Sequence, residues 1–244
     1  MNPAVLNRFP CESRQGKRAL TIPFAAEACL LMTDSSLDLA ALLCSRLCHD
    51  LLSPVGALNN GLELLAEEKD PEMRKRCMEL LEQSAKTSAD KLKFFRLAFG
   101  AAGGFGDSVL IDEPRALVDA LVSNNARISV NWALGTATLP KPAVKVLLNL
   151  SMIGMDALVR GGVLDIGAES RDGASEIVVR AAGAKIAFDP EIGKALDGSL
   201  VPDGLTSRTA PAWMIHQLAT RHGGGVQFAL SDEALVMGAV LPEA

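Results

Sequence analysis

Tyrosine is absent from the 244 residues, and phenylalanine and tryptophan bring the aromatic share to only 4%. Base stacking therefore has little to work with. With 29 acidic against 24 basic side chains and a net charge of −5, the chain also lacks the excess of cations that displaces counterions from a phosphate backbone. Nucleic acid is not expected as a partner. The 5 cysteines (Cys11, Cys29, Cys44, Cys48 and Cys77) are odd in number, with no CxxC or Cys/His ligand spacing. Neither a disulfide framework nor a metal site is expected, and they read as buried small apolar residues of a reducing cytoplasm. No apolar run approaches the roughly 20 residues that span a bilayer. The stretch ALTIPFAAEACLLM behind Lys17 and Arg18 has the look of a signal peptide, but Pro23 and Glu27 break its apolar core and no cleavage site follows. The expectation is a soluble cytoplasmic protein without a membrane partner. Histidine is scarce too, with only 3, so the place of each is informative.

A chain of this length, 49% hydrophobic, can bury one large core or two small ones. Residues 1–33 show no sustained period and read as a disordered leader. Beyond them Cys44, Cys48, Leu51, Val55, Leu58, Leu62 and Leu65 recur at alternating spacings of four and three, the seam of a coiled-coil helix. The segment EEKDPE supplies a turn, with Pro71 suited to a first helical position. A second amphipathic run then carries Met73, Cys77, Leu80, Leu81, Ser84, Ser88, Leu92, Phe95 and Phe99, and it stops at GAAGGFG. Two long helices and a short turn make an antiparallel hairpin over residues 34–102. A lone hairpin cannot cover its own seam, so a homodimeric four-helix bundle through residues 36–100 is expected.

The glycine-rich stretch 100–106 reads as a linker to a second domain, residues 107–244. There VLID and ISVNWAL look like strands flanking a helix that Asp112 caps, with Pro114 in its first turn. The segment PKPAVKVLLNLSMIGMDALVR reads as a long apolar helix ended by Gly161 and Gly162. Strands VLDIGA and EIVVRAA, a helix PAWMIHQLATRH and a closing pair VQFAL and ALVMGAVL follow. The fold class is thus a helical hairpin followed by an α+β two-layer sandwich, helices on one face of a mixed sheet.

His49 follows the seam residue Cys48, so on a helix its ring points about 100° away from the core, toward solvent. Ser45, Ser53, Gly56 and Asn60 stack with it at helical spacing, and all are small or polar. Spacing alone fits a solvated face that happens to hold a histidine. Pro54 and Gly56 count against that, because a proline in a helix interior costs about 3 kcal/mol and a glycine about 1 kcal/mol relative to alanine. A helix that carries both within three residues gains something from the distortion. Asp50 could accept a hydrogen bond from the imidazole and stabilise an imidazolium, or be an ordinary surface acid. His216 and His222, on and after the last helix, read as structural.

The run HDLLSPV resembles the phosphoacceptor box of sensor histidine kinases, in which a histidine, an acid, two further residues and a small or polar position precede a proline. His49, Asp50 and Pro54 match, and Ser53 stands where a basic residue or threonine is usual. The second domain resembles the kinase ATPase domain in order of elements but departs from it in chemistry. Asn149 matches an early asparagine, yet the place of the magnesium-holding asparagine falls on Ile153. AAGAK replaces the D-x-G-x-G pattern, with Ala181 at the acid and Lys185 at the second glycine. The GxGxGL lid becomes SRTAPA, so Ser207, Thr209 and Pro211 stand where backbone amides would wrap phosphates.

A dimeric histidine hairpin joined to a degenerate ATPase-like domain is similar to the ChpT histidine phosphotransferases of bacterial phosphorelays, over about residues 36–244 and most specifically in LCHDLLSPVGALNNGLELL and KFFRLAFGAAG. The resemblance implies a phosphocarrier. His49 would take a phosphoryl group from the receiver-domain aspartate of a hybrid histidine kinase and pass it to response-regulator receivers, with Asp50 orienting the imidazole. Ser45, Arg46, Ser53, Gly56 and Asn60 would meet the receiver; Arg46 either pairs with a receiver carboxylate or is a solvated charge. No cofactor would be bound by this chain, Mg²⁺ would come with the receiver, and ATP would be neither bound nor hydrolysed. A non-catalytic dimeric scaffold and an ATP-dependent histidine kinase are the rival readings.

Overall fold

The computed structural model describes residues 24–100 and 107–243, with side chains from residue 36. The chain divides into two units, Met1–Asp38 and Leu39–Ala244, and the second holds the sheet, the helices packed on it and the hairpin from Leu39 onward. Helix α1 (Phe24–Glu67) begins upstream of the point where the expected leader ends, and residues 1–23 and 101–106 lie outside the described residues. Glu68–Asp70 form the turn into α2 (Pro71–Ala98). Pro71, which has no N–H to lose, opens the helix as the sequence suggests, and Asp70 caps it, its Oδ1 accepting from the Glu72 amide at 3.0 Å. Arg74 donates from Nη1 to the carbonyls of Leu65 and Glu68, both at 2.8 Å, closing the end of α1. Between the helices, Gly61 lets Leu81 approach to a distance at which a Cβ would meet its Cδ2 at 2.8 Å.

The second half holds β1 (Ser108–Leu110), α3 (Asp112–Ser123), β2 (Ile128–Leu134), β3 (Thr138–Pro140), α4 (Lys141–Ala157), β4 (Gly162–Arg171), β5 (Ala174–Ala182), α5 (Pro190–Asp197), α6 (Ala210–Arg221), β6 (Gly225–Leu230) and β7 (Ala234–Pro242). Strands β2-β4-β5-β7-β6 make one mixed sheet: β2 and β4 run parallel, with Trp132 opposite Ile166, and the other pairings are antiparallel. The inward residues Leu164, Ile166, Ile177, Val179, Leu235 and Met237 alternate with exposed or half-buried ones. Helix α4 covers them, packing on β4, β5 and β7, while α5 and α6 lie over β6. The hairpin and α+β two-layer architecture expected from the sequence is the one observed.

Several details differ, among them Cys44 and Cys48, which are exposed on this chain where burial was expected, while Cys77 is buried. Strand β1 pairs only with β3, a short strand the pattern did not show, in a separate two-stranded ladder. Asp112 is the first helical residue of α3 and not its cap, Ile111 holding that place without a side-chain bond; the acids at 112 and 113 still favour the positive end of the helix. Helix α4 stops at Ala157, short of the expected glycine pair.

The core does not end at the hairpin. In its last turns α2 packs against α3 and α4, and Phe94, Phe95, Leu97 and Ala98 join Val118, Val122, Leu147 and Leu150 in one buried cluster. Of the α2 seam, Cys77, Ser88 and Phe95 are buried while Leu80 and Leu92 are exposed, and Phe94 and Leu97 are buried beside it. Asn149, fully buried on α4, donates its amide to the carbonyls of Lys145 at 2.8 Å and Ala98 at 3.3 Å, tying α4 to the end of α2.

Candidate phosphoacceptor site

The proline explains the local design. Pro54 sits inside the continuous α1 helix and is buried. Having no N–H, it leaves the carbonyl of Asp50, four residues earlier, without its helical donor. A half-buried carbonyl without a partner is costly. Lys91 of α2 supplies the donor: its Nζ gives a hydrogen bond to the Asp50 carbonyl at 2.8 Å. The helix survives its proline because a cation from the neighbouring helix replaces the missing amide.

The Asp50 carboxylate is engaged on both oxygens. Oδ1 lies 3.1 Å from Nδ1 of His49, and Oδ2 accepts from Nε of Arg46 at 2.8 Å. A carboxylate is an acceptor only, so the His49 nitrogen facing it carries the proton. In the neutral ring the lone pair is then on Nε2, on a side chain that is 81% exposed. Arg46 is spoken for as well: Nη2 donates to Oδ2 of Asp156 on α4 at 2.7 Å, and its side chain is only 15% exposed. Burial of the guanidinium pulls its pKa down, but Asp156 and then Asp50 more than offset this, and the net direction is up.

Ser45, Ser53 and Asn60 lie on the exposed side of α1 with His49. Gly56 is half-buried, and a Cβ placed on it would meet nothing within 4 Å. The stripe read from helical spacing thus surrounds the ring with small or polar groups. Arg46 stands apart from the stripe, turned toward Asp156. Sequence reasoning missed two members, Lys91 and Asp156. The orphaned Asp50 carbonyl was legible from Pro54, and counting outward from the turn at 68–70 places α2 residues near 91 opposite it. No comparable signal pointed to Asp156.

Elsewhere, His216 donates from Nδ1 to the Leu196 carbonyl at 2.9 Å and stacks on Trp213, a structural role. His222 caps the C-terminus of α6. In the second domain Ile153 and Ala181 are buried in the core, and Lys185 is exposed. At the place of the lid, Thr209 donates to the Gly204 carbonyl at 2.9 Å and accepts from the Thr206 amide at 2.9 Å, forming a closed turn before α6. Among the described residues no group of three or more His, Cys, Asp or Glu side chains could hold a metal ion, and no helix is long and apolar enough to cross a membrane.

Comparison with known proteins bears on the chain as a whole. Residues 111–234 match the family profile of the histidine phosphotransferase C-terminal domain. Protein phosphotransferase ChpT of Brucella abortus (strain 2308) is 36% identical over 211 residues, which is 86% of this chain and 99% of the relative. A solved structure described as a bacterial phosphotransferase superposes with a TM-score of 0.73 at 33% identity, covering 83% of this chain and 96% of that one. The chain belongs to the ChpT family of histidine phosphotransferases.

Proposed function

We propose that His49 is the phosphoacceptor of a relay, taking a phosphoryl group from the receiver-domain aspartate of a hybrid histidine kinase and delivering it to aspartates of response-regulator receivers. The observation that carries this reading is an exposed imidazole whose Nδ1 is held by Asp50 at 3.1 Å, leaving Nε2 toward solvent. In the forward step the Nε2 lone pair forms the N–P bond while the P–O bond to the donor aspartate breaks, its electron pair leaving with the carboxylate. The ring becomes a phosphoimidazolium whose Nδ1–H remains bonded to Asp50, a charge-assisted contact that stabilises the new positive charge. In the second step an acceptor carboxylate attacks phosphorus and the N–P electrons return to Nε2. No proton has to enter or leave the ring in either direction, so the exchange is reversible.

The receivers bring Mg²⁺, which neutralises charge on the transferring phosphoryl group. This chain needs no cofactor of its own. It neither binds nor hydrolyses ATP, a reading supported by the buried Ile153 and Ala181 where a metal ligand and an adenine-reading carboxylate would be required. Ser45, Ser53, Gly56 and Asn60 form the surface a receiver meets. A second copy covers the hairpin face on which Val55 (44% exposed), Leu62 (57%) and Leu80 (61%) stand uncovered, completing a four-helix bundle. The carrier acts in the cytoplasm, where receivers are.

The test is transfer from a phosphorylated receiver to the purified chain. Acid-labile label on the wild type, absent from His49→Ala, supports the carrier. Label that stays on the receiver in both proteins favours the scaffold, and autophosphorylation from ATP favours the kinase.

A further inference from the structure

We infer that Asp156, on helix α4 of the second domain, is a positioning residue for transfer at His49, acting through Arg46 and Asp50. The inference rests on the carrier reading and extends it to a part of the molecule that reading leaves idle. Three contacts run in series: Asp156 Oδ2 to Arg46 Nη2 at 2.7 Å, Arg46 Nε to Asp50 Oδ2 at 2.8 Å, and Asp50 Oδ1 to His49 Nδ1 at 3.1 Å. The series crosses from the second domain to the hairpin, and its middle members are the least exposed: Arg46 at 15% and Asp50 at 18%, against 55% for Asp156 and 81% for His49.

The guanidinium is suited to this because it is planar and rigid. Donors on two of its nitrogens, held at a fixed spacing by the planar group, reach two different carboxylates, which an ammonium on a flexible stem does less rigidly. With Nε and Nη2 both committed inside the molecule, Arg46 works as an internal strut. Its loss of freedom passes to Asp50, whose carboxylate has one oxygen on Arg46 and the other on His49, and whose main chain is held by Lys91.

The chemical consequence concerns the tautomer. Nε2 is a nucleophile only when the ring proton sits on Nδ1, and a carboxylate fixed beside Nδ1 selects that form. A carboxylate free to swing selects it less. Asp156 thereby ties the reactivity of the imidazole to the seating of α4 against the hairpin, so the second domain participates in phosphotransfer without holding a ligand.

The experiment uses the full chain with Asp156→Ala and Arg46→Lys. Nitrogen-15 NMR of the unphosphorylated protein reads the His49 tautomer, and rapid-mixing transfer from a phosphorylated receiver gives kcat and KM separately. The expected result is a shift of His49 away from the Nδ1–H form in both variants, with kcat lowered about tenfold, as for outer residues that orient a reacting imidazole, and KM for the receiver unchanged. Partial recovery is expected in Asp156→Glu. Asp156 is more than half exposed, so thermal unfolding of Asp156→Ala serves as a folding control. A His49 tautomer identical to wild type in Asp156→Ala overturns the inference whatever the rates do, and so does a rise in KM with kcat unchanged. If wild-type His49 accepts no phosphoryl group, the carrier reading fails, while the tautomer measurement still judges the strut independently.

Discussion

Replacing Lys91 by Met keeps most of the aliphatic stem and removes the ammonium that serves the Asp50 carbonyl. Because Pro54 offers no N–H, nothing else in the helix ladder can take over, and the carbonyl is left part-buried without a donor. A hydrogen bond to a charged group contributes about 1.5–3 kcal/mol, and an unsatisfied buried acceptor costs about 1–3 kcal/mol. The site is only part-buried and water can enter, so the lower half applies, a loss of about 1–2 kcal/mol. Pro54→Ala restores the N–H, which recovers up to ~3 kcal/mol of helix energy, against about 1–2 kcal/mol for truncating a buried ring. In that background the carbonyl has a main-chain donor, and Lys91→Met should cost less than about 0.5 kcal/mol. The double-mutant cycle therefore predicts a coupling of about 0.5–2 kcal/mol. Urea denaturation of the four proteins at one protomer concentration measures it. Equal costs of Lys91→Met with and without Pro54 would refute the reasoning.

Phe94→Ala, at a fully buried position shared by α2, α3 and α4, should lower stability by about 3–5 kcal/mol. It should shift a single unfolding transition of hairpin and second domain together, and two separated calorimetric transitions would contradict the shared core. Leu62→Glu, on the uncovered apolar face, should convert a dimer to a monomer in sedimentation at micromolar concentration while circular dichroism is retained. Asp165 accepts from Asn131 at 2.9 Å and from Arg180 at 2.9 Å, and Asn131 first and Arg180 second hold its pKa below the ordinary carboxylate value. Its folded-state pKa being depressed, it adds stability above the unfolded-state value of about 3.9 that is lost as pH falls through the folded one. Asp165→Asn should therefore destabilise at pH 7 and narrow the stability difference between pH 7 and pH 3, read from urea midpoints.

Much of this was legible in residue spacing. The hairpin announced itself through a four-and-three seam and through Pro71 in EEKDPE; the structure adds that Asp70, Pro71 and Glu72 serve in order as cap, first helical residue and dipole-friendly acid. The same three residue types recur at Asp189-Pro190-Glu191, where Asp189 caps α5 with a 3.0 Å bond and Gly198 ends it in a left-handed conformation. That helix escaped notice because Pro190–Asp197 is too short to develop a period. Strand β3 escaped for a similar reason, being three residues long and recognisable only through its partner β1. At the site, His49 is exposed as its offset from the seam suggested, although Cys48, the seam residue it was set against, is itself exposed on this chain; the need for a donor to Asp50 followed from Pro54. The seating of α4 against the hairpin did not follow from local pattern. Arg46 and Asp156 are brought together by tertiary packing across more than a hundred residues, and neither carries a mark of that contact in its own segment. Arg46 consequently looked like a free surface cation from its helix alone.

The most direct measurement is phosphorus-31 NMR, with mass mapping, of the chain after incubation with a phosphorylated receiver. The account predicts one phosphoramidate resonance, assigned to His49 and bonded at Nε2, that disappears when an unphosphorylated receiver and Mg²⁺ are added. A phosphoryl group on any other residue, or bonded at Nδ1 of His49, would contradict it.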